Sequence, residues 1–206
     1  DNLRIMLPMI SNVPELEEAL ELIYRAHDEL VDEGVNAKLP PIGVMVEVPA
    51  AVYQAREMAR RVDFLSVGSN DLTQYLLAVD RNNARVADLY HSLHPAVLRA
   101  LNDVAQAAQA EGKPVGICGE LAGDPGAAIL LLAMGYDMLS MNASSLLKVK
   151  SVIRSQTLAG AKTLLEQALT QESAVDVKEL VRDAMVAAAV DIMLQPAMGE
   201  KLRPKR

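Results

Sequence analysis

Hydrophobic positions in this chain alternate between short apolar runs and longer runs of helical period. Five short runs, rich in β-branched residues, predict strands at 4–10, 42–48, 63–69, 114–120 and 138–142. Each run is almost continuously apolar, which is typical of parallel strands that helices cover on both faces. The pattern therefore predicts an α/β protein built on a parallel sheet.

The longer runs carry the end signals of helices. Pro14 falls in a first turn followed by glutamates, and Asp124 begins a helix that Gly135 ends. After residue 143 only helical patterns remain, at 144–155, 158–170 and 176–194. Pro196 is expected to terminate the last of them.

Five β-α units in a row fit either a doubly wound open sheet or part of a (β/α)8 barrel. No GxGxxG or GxxxxGK[ST] loop follows a strand, and several strands end in polar residues, which favours the barrel. We predict the C-terminal five β-α units of a TIM-type barrel in residues 1–170, and a C-terminal helix with a basic tail in 171–206. A barrel needs eight strands and five are counted here, so we expect three further strands on the N-terminal side. Because the chain starts with Asp rather than Met, we expect them on a longer polypeptide.

Composition narrows the class of protein. A length of 206 residues suits one domain, and a net charge of −7 argues against nucleic-acid binding. No apolar stretch reaches membrane-spanning length, and no signal peptide opens the chain. The single cysteine, Cys118, cannot form an internal disulfide, so we expect a cytoplasmic location.

Two carboxylates follow neighbouring predicted strands. Glu47 lies inside the apolar run "GVMVEV", just before Pro49, where an ionised carboxylate is costly unless it pairs with a cation, either an arginine or a metal. Asn70 and Asp71 follow the next strand, where the alternative is simple helix capping. Carboxylates at the same edge of a sheet, joined by substrate oxygens and water, form the usual Mg²⁺ site. The sequence therefore indicates Glu47 and Asp71 as metal ligands.

Arg81 and Cys118 add a guanidinium and a thiol to this edge of the predicted sheet. Arg81 is a planar donor that suits a phosphate or a carboxylate. Cys118 lies in "GICGELAGD", where flanking glycines permit close approach of a ligand. A lone cysteine in an apolar strand is more often inert core. Together with Glu120 and the glycines, however, Cys118 is here interpreted as a working thiol.

Three stretches, "GVMVEVPAA", "SVGSNDLTQYLLAVDR" and "GICGELAGD", resemble the signatures of the phosphoenolpyruvate-utilising enzymes. "CGELAGD" is most similar to enzyme I of the phosphotransferase system, and "GVMVEVPAAVYQA" and "MLSMN" resemble its nitrogen-regulatory branch. The resemblance extends from the start of the chain to about residue 170. It implies the phosphoenolpyruvate-binding barrel of a dimeric phosphoenolpyruvate–protein phosphotransferase.

The resemblance also implies a role for each site residue. Glu47 and Asp71 would hold Mg²⁺ between the carboxylate and the phosphate of phosphoenolpyruvate. Asn70 would contact the phosphate, and Arg81 would neutralise it. Cys118 would protonate C3 of the enolate as pyruvate forms. The phosphoryl group would pass to a protein histidine and then to an HPr-like carrier protein.

The phosphorylated histidine of that family lies in a Gly-Gly-x-x-Ser-His stretch, which this sequence lacks. We therefore expect the chain alone to be inactive and to bind phosphoenolpyruvate poorly. Three alternatives remain open. They are a pyruvate phosphate dikinase or phosphoenolpyruvate synthase, a Mg²⁺-dependent aldolase or lyase barrel, and a non-catalytic dimerisation module.

Overall fold

The computed structural model describes residues 2–187, in which helices pack against a five-stranded parallel sheet. The strands are β1 (Ile5–Leu7), β2 (Ile42–Val46), β3 (Phe64–Gly68), β4 (Val115–Cys118) and β5 (Met138–Ser140). All five predicted strands are present, and each is shorter than predicted. The ladder of β2 and β3 stops where the chain turns away into polar residues, so Glu47 and Ser69 lie just beyond it.

The sheet order is β1-β2-β3-β4-β5, so each strand pairs with its sequence neighbour in parallel. A doubly wound sheet reverses its order at a switch point, whereas consecutive barrel strands keep it. The predicted α/β fold is confirmed, and the strand order is the one expected for a run of barrel units.

Nine α-helices occupy residues 2–187: α1 (Val13–Asp32), α2 (Pro49–Val52), α3 (Ala55–Ala59), α4 (Ser69–Leu77), α5 (Pro95–Ala110), α6 (Pro125–Met134), α7 (Ala143–Ser155), α8 (Leu158–Thr170) and α9 (Ala174–Ala187). The Asp124 carboxylate caps α6 by accepting from Ala127 N at 2.7 Å, and Gly135 ends it at a φ of 89°. Residues 188–206, with Pro196 and the basic tail, lie outside the described residues. No helix in the described part is long and apolar enough to cross a membrane.

The two faces of the sheet differ in burial. Side chains that alternate along β3 and β4 pack under the helices and are at most 1% exposed; they are Leu65, Val67, Val115 and Ile117. The opposite face lines a cavity of about 260 Å³ that includes Ser66, Gly116 and Cys118. The expectation that helices cover both faces is therefore wrong for residues 2–187. Apolar residues occupy both faces, so the hydrophobic pattern could not distinguish the open one.

Candidate functional site

Glu47, Asn70, Asp71 and Cys118 lie at one edge of the sheet, where β2, β3 and β4 end. The parallel register pairs Val46 with Val67 and places Cys118 beside Gly68. Glu47 follows β2 directly, and the first turn of α4 follows β3 directly. Because parallel strands end on the same side, their C-terminal residues converge there.

Glu47 is buried, with 4% of its surface exposed. Its Oε1 accepts a hydrogen bond from the backbone N–H of Met9, at 2.9 Å. Met9 has a φ of 57°, an uncommon left-handed conformation for a non-glycine residue. The backbone beyond β1 is thus shaped to meet this carboxylate, although the sequence offered no signal for it.

No ion pair between Glu47 and a basic side chain occurs within residues 2–187, so an arginine partner for it would have to come from outside this part of the chain. Burial raises the pKa of Glu47, the hydrogen bond from Met9 lowers it, and the nearby charge of Asp71 raises it again. A buried carboxylate beside a second carboxylate is energetically unfavourable until a cation neutralises both.

Asn70 is oriented by the neighbouring strand end. Its Oδ1 accepts from the backbone N–H of Glu120 at 3.2 Å, which leaves the amide N–H groups available to a ligand. Ser69 donates to the carbonyl oxygen of Cys118 at 2.7 Å and so joins the start of α4 to the end of β4. Gly119 has a φ of 112°, and a Cβ there would collide with Ser69 Oγ and lie 2.9 Å from Asn70 Oδ1. Glycine is therefore required for this close approach.

Arg81 and Asp71 form an ion pair, with Nη1 at 3.1 Å from Oδ1. Both side chains are about one third exposed, at 33% and 37%. The backbone N–H of Arg81 also bonds to the side-chain oxygen of Gln74, at 3.2 Å. Helix α4 ends at Ala78 in the left-handed conformation, which redirects the chain so that Arg81 returns to the site.

Cys118 is half-buried on the open face of the sheet, and its Sγ contacts the carbonyl oxygen of Val67 at 3.6 Å. Burial raises the pKa of this thiol, and the negative charges of Glu47 and Asp71 raise it further. The thiol therefore stays protonated near neutral pH and can serve as an acid rather than as a nucleophile.

A polar cleft of about 430 Å³ lies at the ends of β3, β4 and β5, and Asn70 is the candidate site residue that lines it. It is lined by Asn70, Gly119, Glu120, Ser140, Met141 and Asn142. A cleft of this size and polarity suits a small charged metabolite.

The two carboxylates fit Mg²⁺, which takes part of its ligands from substrate and water, better than a metal ion that needs three or four protein ligands. Within residues 2–187 no three His, Cys, Asp or Glu side chains form a metal-binding group. Glu47 and Asp71 supply two carboxylates, and Mg²⁺ commonly takes one or two carboxylates and completes its shell with substrate oxygens and water.

Three contributors to this edge were absent from the sequence-based prediction. Met9 and Ser69 act through backbone or hydroxyl hydrogen bonds, and Tyr90 donates to the carbonyl oxygen of Asn70 at 3.3 Å. Ser69 lies inside the "SVGSND" stretch, so its position was a usable signal. Tyr90 lies in "LYHSLHP", which carries no motif that points to this site.

Comparisons with known proteins identify relatives along most of the chain. The sequence profile of the family described as "PEP-utilising enzyme, PEP-binding domain" matches residues 1–158. A Salmonella typhimurium protein named "Phosphoenolpyruvate-dependent phosphotransferase system" is 47% identical over 182 residues, which cover 87% of this chain and 24% of the relative. A Haemophilus influenzae "Phosphoenolpyruvate-protein phosphotransferase" is 43% identical, covering 89% of this chain and 32% of the relative.

The chain thus spans about a quarter to a third of the length of these curated relatives. Among solved structures, a citrate lyase from Burkholderia xenovorans superposes with a TM-score of 0.54 at 19% identity, over 89% of this chain and 64% of that chain. At that identity the likeness shows a shared fold and nothing about the reaction.

Proposed function

The chain belongs to the family of the phosphoenolpyruvate-binding domain of phosphoenolpyruvate-utilising enzymes, and on this basis we propose that it binds phosphoenolpyruvate within a phosphoenolpyruvate–protein phosphotransferase. The complete enzyme moves the phosphoryl group to a protein histidine, releases pyruvate and passes the phosphoryl group to an HPr-like carrier. The names of the relatives support this reaction. Because these relatives are much longer than the chain, we assign the activity to the complete polypeptide.

One observation carries the proposal. Glu47 lies over Gly68, the strand partner of Cys118, and Arg81 pairs with Asp71. Two acids, a guanidinium and a protonated thiol therefore share one edge of the sheet. This set matches a substrate with three negative charges whose product must gain a proton on carbon.

Glu47 and Asp71 are the proposed Mg²⁺ ligands. When bound, Mg²⁺ supplies positive charge that offsets the charge of the substrate oxygens. The Arg81 guanidinium can donate two parallel hydrogen bonds to the phosphate, and the free amide N–H groups of Asn70 can donate to it as well. Phosphoryl transfer depends mainly on such positioning and charge stabilisation.

Cys118 is the proposed acid for the enolate. As the bond between phosphorus and the enol oxygen breaks, the phosphoryl group goes to the histidine and the enolate remains. The thiol proton moves to C3 and gives pyruvate, and the thiolate later takes a proton from water. The raised pKa of Cys118 favours the protonated form that this step requires.

Calorimetric titration of the complete polypeptide with phosphoenolpyruvate and Mg²⁺ tests the proposal. Glu47→Gln should weaken the Mg²⁺-dependent affinity on the order of a hundredfold, since a ligating charge is removed. Glu18→Gln removes the same charge from an exposed position of α1 and should leave the heat unchanged. Wild-type heat in Glu47→Gln would overturn the proposal and favour a non-catalytic module.

Phosphoenolpyruvate-dependent labelling of a protein histidine distinguishes the phosphotransferase from an aldolase or lyase. The complete polypeptide should acquire one acid-labile phosphoryl group and release pyruvate. Pyruvate release without histidine labelling would exclude the proposed reaction.

A further inference from the structure

Tyr90 connects two parts of the site that are distant in sequence. It follows a 3-10 turn at Ala87–Leu89, in the connection between α4 and α5. Its phenol donates a hydrogen bond to the carbonyl oxygen of Asn70 at 3.3 Å, although 20 residues separate them. The same connection carries Arg81, so the phenol joins the Arg81 segment to the first turn of α4.

The surroundings of the phenol place it among the site residues. Burial raises the pKa of Tyr90, the Thr73 hydroxyl and the charge of Arg81 lower it, and the charges of Glu120 and Asp71 raise it. Two of the five site residues predicted from sequence, Asp71 and Arg81, therefore act electrostatically on this one hydroxyl.

Thr73 adds an independent observation. It is fully buried, and its Oγ1 forms no well-aligned hydrogen bond within the described residues. A buried hydroxyl without a partner is costly, and such groups are kept mainly where they serve another purpose. Thr73 lies on α4, one turn after Asn70, and its hydroxyl approaches the phenol of Tyr90.

We propose that Tyr90 is a positioning residue for the phosphoenolpyruvate site, an inference that rests on the proposed function. Its hydroxyl holds the first turn of α4, with Asn70 and Asp71, at a set distance from the segment that carries Arg81. The buried hydroxyl of Thr73, also on α4, adjoins the phenol. This hydrogen bond matters because the anionic substrate must contact the Asn70 amide and the Arg81 guanidinium at the same time. A site whose groups are already ordered loses less entropy when the substrate binds.

Tyr136 provides a matched control. Its phenol also donates to a backbone carbonyl oxygen, that of Leu101, at 3.0 Å. It lies just before β5, at the opposite end of the sheet from the site. Tyr136→Phe and Tyr90→Phe each remove one phenol hydroxyl, and both should lower thermal stability modestly.

The experiment compares the two variants in the complete polypeptide. Tyr90→Phe should raise the Kd and the KM for phosphoenolpyruvate in the presence of Mg²⁺ roughly fivefold, the worth of one hydrogen bond, and should lower kcat less. Tyr136→Phe should leave Kd, KM and kcat at wild-type values. Loss of a tyrosine hydroxyl with only a structural role would lower stability without changing the affinity for the substrate. The comparison of the two variants therefore distinguishes a structural role from a positioning role.

Thr73→Val gives a second test if Tyr90→Phe does not fold. It removes the hydroxyl that approaches the phenol and keeps the shape of the side chain. Because no well-aligned hydrogen bond is lost, we expect a nearly unchanged Tm together with a Kd about twofold higher. Wild-type Kd in folded Tyr90→Phe, or in Thr73→Val when that variant carries the test, overturns the inference, as does an equal loss of affinity in Tyr136→Phe. If the wild type itself shows no binding, the proposed function fails first and the inference falls with it.

Discussion

The guanidinium of Arg81 is held by the carboxylate of Asp71, with Nη1 and Oδ1 3.1 Å apart. In the absence of ligands, Arg81 therefore pairs with one of the two carboxylates that are proposed to bind the metal. For Mg²⁺ to gain Asp71, Arg81 must exchange that carboxylate for another anion. The phosphate of phosphoenolpyruvate is the anion that the site is proposed to bind, so metal and substrate should bind cooperatively.

Arg81→Gln should change the affinities for Mg²⁺ and for phosphoenolpyruvate in opposite directions. With the competing guanidinium removed, Mg²⁺ alone should bind up to roughly fivefold more tightly, the worth of an exposed ion pair. Phosphoenolpyruvate should bind at least about tenfold more weakly, since a bidentate charged donor is lost. Calorimetry with each ligand alone and with both measures this. Arg85→Gln removes an exposed charge from the same connection and should change neither affinity.

Gly68→Ala should displace Glu47. A Cβ at Gly68 would collide with Glu47 Oε2 and lie 2.9 Å from Glu47 Cβ and 3.0 Å from Met45 Sδ. We expect a loss of about 1–3 kcal/mol in the free energy of unfolding, together with weaker Mg²⁺ binding. Gly116→Ala is the control on the next strand, because its Cβ would meet its nearest neighbours at 3.5 Å, an ordinary contact. Equal effects of the two substitutions in chemical denaturation would contradict this prediction.

The stability of the metal-free protein should depend on the charge of Glu47. Its pKa is higher in the folded state than in the unfolded state, mainly because of burial, so the folded protein retains the proton to higher pH. The stabilising contribution is complete below the unfolded pKa and is lost as pH rises through the folded pKa. Glu47→Gln keeps an oxygen that can accept from Met9 but cannot ionise. Its Tm at pH 7 should exceed that of the wild type, and the difference should shrink towards pH 4.

Cys118→Ser should affect chemistry more than binding. A serine hydroxyl is a much weaker acid than a thiol, so protonation of the enolate should slow by at least about a hundredfold, the usual worth of general acid catalysis. The Kd for phosphoenolpyruvate with Mg²⁺ should stay within about twofold, since Sγ donates to no charged group of the site. Pyruvate release and calorimetry in the complete polypeptide provide the two measurements. An undiminished kcat would show that another group supplies the proton.

The rate of Cys118 alkylation should depend on the negative charges of the neighbouring carboxylates. Burial and the charges of Glu47 and Asp71 hold its pKa above the ordinary value, so reaction with iodoacetamide should be slow at pH 8 and accelerate as pH rises through the folded pKa. Glu47→Gln removes one negative charge and should shift the rate profile to lower pH. Mass spectrometry of the peptide that contains Cys118 identifies the product. A profile unchanged by Glu47→Gln would mean that the two side chains do not interact.

Much of the fold follows from local sequence signals. All five strands and the helices after residue 143 that lie in the described part were predicted, since hydrophobic period and end signals such as Asp124 and Gly135 act over a few residues. The type of the candidate site residues was likewise visible in the sequence, because a carboxylate in an apolar strand is costly unless it pairs with a cation.

The relationships between those residues were decided by the tertiary structure alone. The strand register sets the position of Glu47 over Gly68, the left-handed turn at Met9 supplies its hydrogen bond, and the ion pair of Arg81 occupies Asp71. Tyr90 joined the site through a long connection that has no periodic pattern. Hydrophobic pattern specifies which segments pack, whereas distances between side chains on different elements depend on register and loop path, and these are set by contacts that no single segment contains.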